Sequence, residues 1–219
     1  MKIKIDGQEI EAEEGERLID IAARAGIHIP SLCYAPGFKH QSSCMVCMVR
    51  NLGNHQILTS CSTFATDGMD IDASSDDIKD LRKASLELLF SDHMAVCKEP
   101  CNVKECKLRL VGIEHRAKWN RHTRYSGVKK VEIQHIRDNL YFDVSKCFRC
   151  GLCVYNSNNG FTFKNRGFGM EVVLPKENYG NVDESHAALC PAQAIYVYPL
   201  PEGAKPGESK VSEVLKAEN

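Results

Sequence analysis

An α+β protein built of small modules, with metal doing part of the work of a core, is the fold class that three observations predict. The chain opens on an alternating strand pattern, a tight turn and a helical repeat. A second amphipathic helix follows after an acidic, Ser-rich break. Eleven cysteines then divide into groups of four, three and four. At about one residue in twenty, that is too many for an enzyme that uses cysteine only as a small hydrophobe.

The elements follow in order. Lys2-Ile3-Lys4-Ile5 alternates, Asp6-Gly7 is the favoured two-residue hairpin turn, and Gln8-Glu9-Ile10-Glu11 returns. Leu18, Ile21, Ala22 and Ala25 fall at helical spacing, and Gly26 is placed to stop that helix. Further strands are expected within Met45 to Asn51 and Gln56 to Cys61. Ser74, Ser75, Asp76 and Asp77 make a capped, acidic start to a helix whose apolar face is Ile78, Leu81, Ser85, Leu88 and Leu89, running to Asp92. A domain boundary is placed near residue 75. Cys97, Cys101 and Cys106 come next, with so little apolar sequence around them that metal must hold the segment. Residues 115–137 carry seven Lys/Arg and one acid, and the tail after Pro199 is too polar and too rich in Pro and Gly to pack alone.

Composition removes several classes. With 28 Lys+Arg against 29 Asp+Glu, the chain as a whole is no polyanion binder. No apolar run approaches the length of a membrane span, and the N-terminus has neither an apolar h-region nor a small-residue cleavage site. A cytoplasmic protein is expected, where cysteines serve metal or redox chemistry rather than disulfides.

Cys33, Cys44, Cys47 and Cys61 are separated by ten, two and thirteen residues. A Cys-x2-Cys pair with one thiol on each flank suits a [2Fe–2S] rhomb, which needs two sulfurs from the protein per iron. Half of a zinc site would use Cys44 and Cys47 alike, but the outer spacings match no common finger. Cys147-Phe-Arg-Cys150-Gly-Leu-Cys153 offers three thiolates to a [4Fe–4S] cube, and Cys190-Pro191 supplies the fourth. A two-cluster ferredoxin would have Cys-Pro where Ser157 and Asn158 stand, and a second triad where Gly180, Asp183 and His186 stand, so a single cube is expected here. Cys97, Cys101 and Cys106 lack one ligand. His93, four residues before Cys97, is the nearest candidate, and a zinc site of three cysteines and one histidine competes with a cube on spacing alone.

Nothing else in the chain suggests catalysis. The remaining histidines (28, 40, 55, 115, 122, 135 and 186) show no pairing with a nucleophile, and no Gly-rich phosphate loop is present. The chain reads as a carrier of electrons with no substrate site.

The three cysteine groups in this order, together with Ile29-Pro30-Ser31-Leu32-Cys33-Tyr34 and Arg166-Gly167-Phe168, resemble the N-terminal iron–sulfur region of the large peripheral-arm (75 kDa-type) subunit of respiratory complex I. They equally resemble the small diaphorase subunit of NAD-reducing [NiFe]-hydrogenases and the front end of [FeFe]-hydrogenases. The resemblance covers residues 1 to about 198. It implies a β-grasp [2Fe–2S] ferredoxin-like domain (1–75), a histidine-ligated [4Fe–4S] segment (76–115) on His93, Cys97, Cys101 and Cys106, and a single-cluster [4Fe–4S] ferredoxin-like domain (116–198), beyond which an extended or disordered tail (199–219) is expected. The cofactors so implied are one [2Fe–2S] and two [4Fe–4S] clusters. The implied role is a non-catalytic electron-transfer subunit between a flavin/NAD(H)-binding subunit and a hydrogenase- or formate-dehydrogenase-type catalytic subunit, with no membrane span and no nucleic acid. An iron–sulfur or zinc sensor, meeting nucleic acid through the basic 115–137 stretch, is the alternative.

Two departures from the family pattern stand out. In the middle group the second cysteine sits one place late, at 101, with Pro100 in its usual position. In the first loop Ser43 and Met45 replace the usual Gly and Arg, which bears on hydrogen bonding to the sulfurs.

Overall fold

A computed structural model of the chain describes residues 1–93, 106–118 and 132–198. The described residues of Met1–Ser91 and Lys107–Thr123 form one compact unit, and those of Asp92–Cys106 and Arg124–Asn219 a second.

In the first unit β1 (Lys2–Ile5) and β2 (Gln8–Glu11) form the expected antiparallel hairpin, with Ile3 opposite Ile10. Asp6 and Gly7 both take positive φ, 51° and 81°, the geometry a two-residue turn needs to match strand twist. Helix α1 (Leu18–Arg24) buries Leu18, Ile19, Ile21 and Ala22, and Gly26 follows it at φ 76°. Strands β3 (Met48–Asn51), β4 (Ile57–Thr59) and β5 (Asp70–Asp72) complete a five-stranded sheet in the order β2-β1-β5-β3-β4. β1 and β5 run parallel in its middle, with Ile5 beside Ile71, and the other neighbours are antiparallel. A sheet of this order packed on one helix is a β-grasp. Its core gathers Ile3, Ile5, Leu18, Ile21, Val49 and Ile71, each at most 1% exposed. Each contributes about 1.5–3 kcal/mol of burial.

The strand expected from Met45 starts three residues later. Met45 stands at φ 55°, so the chain between Cys44 and Cys47 curls into a loop before it can extend.

Helix α2 (Asp76–His93) begins as expected. Ser75 Oγ lies 3.5 Å from the Ile78 amide, and Asp72 accepts from the amides of Ser74 and Ser75, so donors at the helix start have partners. Its buried face differs from the expected one. Ile78, Arg82, Leu86, Glu87 and Phe90 are buried, whereas Leu81 and Leu88 are exposed. The helix is rotated because Arg82, a residue the apolar pattern discards, turns inward. Both its Nε and Nη2 donate to the Met48 carbonyl of β3, at 3.0 and 2.8 Å. Helix α3 (Lys107–Glu114) packs on α2 where Gly112 faces Phe90 so closely that a Cβ would lie 2.2 Å from the ring. Both helices of the expected middle segment therefore share a unit with the β-grasp sheet.

In the second unit β6 (Ile133–Arg137), β7 (Leu140–Asp143) and β10 (Ile195–Val197) form an antiparallel sheet in the order β10-β7-β6. Between β7 and β10 come α4 (Leu152–Asn156), the hairpin β8 (Thr162–Lys164) and β9 (Glu171–Val173), and α5 (Glu184–Leu189). Tyr141, Phe142, Leu152, Phe161 and Ile195 are buried here. Among the described residues no helix is long and apolar enough to cross a membrane.

Candidate metal centres

The first thiol group sits at one end of the β-grasp unit. Cys33 and Cys44 flank the loop before β3, Cys47 lies one residue before that strand, and Cys61 lies two residues after β4. The β3–β4 ladder pairs Met48 with Thr59, which carries Cys47 and Cys61 to the same end of the sheet. Ser60 reinforces that end, its amide and hydroxyl both donating to the Cys47 carbonyl at 3.1 and 2.8 Å. All four cysteines are buried.

Their sulfurs touch in a chain. Cys33 Sγ and Cys44 Sγ are 3.3 Å apart, and the Cys44 amide points at Cys33 Sγ from 3.5 Å. Cys61 is hydrogen-bonded to both Cys33 and Cys47. Thiol hydrogen bonds from Cys44 and Cys61 pull Cys33 down to about 2, and the Cys61 thiol pulls Cys47 down to about 7. Cys44 and Cys61 are pushed above the ordinary thiol range, Cys44 by its bond to Cys33 and Cys61 by its bonds to Cys33 and Cys47. A metal group on these four sulfurs would take their thiolate forms and displace the protons they share.

Among the described residues no group of three or more His, Cys, Asp and Glu side chains could hold a single metal ion. The four sulfurs form one contact chain, Cys44 to Cys33, Cys33 to Cys61 and Cys61 to Cys47, which fits a two-iron group that takes two thiolates per iron. Polar groups surround it. Ser42 Oγ is 3.4 Å from Cys61 Sγ, and His40 Nε2 lies 2.9 Å from the Cys61 carbonyl while its ring meets Tyr34 edge-on. The Tyr34 hydroxyl donates to Asp20 of α1 at 2.5 Å, tying the loop to the helix. Ser43, where the family has Gly, still aims its amide at Cys33.

The second group is built differently. Cys147 ends a 3-10 turn (Val144–Lys146), and its sulfur accepts from the Arg149 amide at 3.3 Å. Arg149 and Gly151 take positive φ, 60° and 81°, bending the Cys-x2-Cys-x2-Cys segment so that α4 starts at Leu152 and carries Cys153 in its first turn. Cys190 caps α5, and the amides of Ile195, Ala192, Ala194 and Gln193 act on it from the returning turn. Cys147, Cys150, Cys153 and Cys190 all line one small cavity, closed by apolar side chains that include Phe142, Val172 and Ile195. Burial pushes the Cys153 thiol well up, and the neighbouring sulfurs of Cys147, Cys190 and Cys150 push the same way. Burial also raises Cys190, against those four amides. Four sulfurs around an apolar hollow, with amides aimed at them, fit a cube of iron and sulfur.

His186, at the last position a second cysteine triad would occupy, completes a capping box instead. Its Nδ1 lies 3.3 Å from the Asp183 amide and 3.1 Å from the Asp183 carboxylate. Of the middle group, Cys106 is buried immediately before α3, and His93 is the last residue of α2. Cys97 and Cys101 lie outside the described residues. So do residues 119–131 of the basic stretch and the tail from Pro199 onward.

Arg82, His40 and Ser42 are site neighbours that motif spacing does not reveal. No regular offset from a cysteine marks them: His40 and Ser42 lie inside the Cys33–Cys44 loop, where many polar residues stand, and α2 brings Arg82 in from beyond the group.

Comparison with known proteins agrees with this geometry. Residues 1–76 match the family model of the 2Fe-2S iron-sulfur cluster binding domain. The chain is 30% identical over 154 residues to the NAD-reducing hydrogenase HoxS subunit gamma of Cupriavidus necator, covering 70% of this chain and 64% of that protein. It is 25% identical over 226 residues to the mitochondrial NADH-ubiquinone oxidoreductase 78 kDa subunit of Candida albicans, covering 98% of this chain but only 31% of that one. The chain thus spans less than two thirds of the length of either relative. A crystal structure of an NAD+-reducing [NiFe]-hydrogenase in the H2-reduced state shares the fold, with a TM-score of 0.77 and 22% identity over 93% of this chain and 90% of that chain. The resemblance to complex I and NAD-reducing hydrogenase subunits, first carried by cysteine spacing, extends well beyond the cysteines.

Proposed function

We propose that the chain is a non-catalytic electron-transfer subunit of a multisubunit NAD-linked oxidoreductase. It would hold a [2Fe–2S] cluster on Cys33, Cys44, Cys47 and Cys61 and a [4Fe–4S] cluster on Cys147, Cys150, Cys153 and Cys190. A second [4Fe–4S] cluster would sit on His93, Cys97, Cys101 and Cys106. The observation that carries the reading is the contrast between touching sulfurs in one unit and sulfurs around an apolar hollow in the other. Such clusters, when bound, pass single electrons at potentials set by charge, burial and hydrogen bonds to sulfur.

The chain's own residues supply those settings. The amides of Ser43, Cys44 and Arg149 face sulfurs and favour the thiolate forms, while the first four cysteines are buried and the second four border an apolar hollow. The names of the relatives support partners of two kinds, a flavin/NAD(H)-binding subunit and a hydrogenase- or dehydrogenase-type catalytic subunit. A cytoplasmic location is proposed with them, since a reducing compartment keeps cysteines available to metal.

Anaerobically prepared protein should contain about ten irons per chain and negligible zinc, two for the rhomb and four for each cube. Stoichiometric zinc in place of four irons would reassign the middle group, and loss of iron from all three groups in favour of zinc would replace electron transfer by a structural metal role.

A further inference from the structure

Arg82 is 3% exposed, and among the described residues no carboxylate lies within ion-pair distance of it. A guanidinium buried without a counter-charge is strongly unfavourable, so its retention inside a core calls for a compensating anion nearby. Among the described residues its hydrogen bonds are the two to the Met48 carbonyl, one residue beyond Cys47. Burial lowers its pKa, and Cys47 is the strongest of the charges opposing that shift, ahead of Asp6, Asp72 and Glu114. The two-point contact with Met48 also holds the guanidinium in place, since Nε and Nη2 reach one oxygen from a planar, fixed fork.

We propose that Arg82 is the built-in counter-charge of the Cys33–Cys44–Cys47–Cys61 site and sets the reduction potential of the cluster held there. The inference rests on the reading of those four thiols as a [2Fe–2S] site. With four thiolates such a group carries about two negative charges oxidised and about three reduced. A fixed cation beside Cys47 therefore stabilises the reduced form more than the oxidised one, and poor screening in the interior preserves the effect. Arg82 touches no reacting atom; it is a positioning residue that acts through the field at Cys47 and by holding the end of β3.

The test is a redox titration of the intact, cluster-loaded chain, following the [2Fe–2S] signal by electron paramagnetic resonance during stepwise chemical reduction. In R82Q and R82M the ratio of reduced to oxidised cluster at a fixed potential should fall about tenfold, which is about 59 mV for one electron. R82K, which keeps the charge, should stay near the parent value. The [4Fe–4S] signals serve as internal standards and should not move. If R82Q and R82M fail to hold the cluster while R82K holds it at the parent potential, the requirement for charge is equally shown. An unchanged potential in R82Q or R82M, or loss of the cluster from all three variants, would reduce Arg82 to a prop of the fold and overturn the inference. Absence of any [2Fe–2S] signal from the parent chain would instead overturn the reading of the thiols.

Discussion

The two thiol groups that the structure describes use the same sulfur atom in opposite ways. In the β-grasp unit the four cysteines are buried, and their sulfurs approach until they share protons. In the second unit the cysteines are half-buried and their sulfurs border a common apolar hollow. The first arrangement arises because β3 and β4 bring two thiols to one sheet end while a loop folds the other two over it. The second arises because one tight loop with two left-handed residues wraps three thiols, leaving α5 to bring the fourth. Small clusters need sulfurs in pairs, and cubes need sulfurs spread around a volume. The backbone determines which is offered.

The sharpest test of this contrast removes one thiol from each site. Cys47→Ala should abolish the [2Fe–2S] signal and remove about two irons, and Cys153→Ala should abolish one [4Fe–4S] signal and remove about four. Each should leave the other unit's cluster at full occupancy, as read by iron content and electron paramagnetic resonance. Loss of both signals from either variant would break the picture of two separately built sites.

A smaller effect is expected in the helix pair that shares a unit with the β-grasp sheet. Gly→Ala inside a helix ordinarily gains about 1 kcal/mol of helix propensity. At Gly112 the new methyl would meet the buried Phe90 ring at 2.2 and 2.7 Å, and overpacking of that kind costs about 1–3 kcal/mol. Gly112→Ala should therefore lower the thermal midpoint of unfolding. A raised midpoint would mean that α2 and α3 separate readily.

The smallest effect belongs to the surface. Lys2 and Glu9 form a 2.6 Å ion pair across the first hairpin, with more than half of each side chain exposed. Water and salt screen such a pair. Lys2→Ala should leave the thermal midpoint and both cluster signals unchanged, whereas a clear loss of stability would show that the hairpin depends on more than the buried Ile3–Ile10 pair.

The sequence by itself determined the hairpin, α1, the start of α2 and the membership of both described thiol groups. Each of these is a local matter or a matter of spacing. Asp6-Gly7 needs only its own backbone preferences, Ser75 reaches an amide of its helix only three residues on, and Cys-x2-Cys spacing follows from the size of the metal group it can wrap. The tertiary structure alone decided which face of α2 turns inward, because apolar periodicity ranks Leu81 and Leu88 above Arg82. The Met48 carbonyl, which accepts both Arg82 bonds, reverses that ranking at a distance along the chain that no helical pattern spans. It alone decided that α2 and α3 share a unit with the β-grasp sheet, through the Gly112–Phe90 contact. It also brought the four thiols of the first group into contact with one another. Contact is a property of where strands end in space, and spacing along the sequence constrains the set of thiols without ordering them.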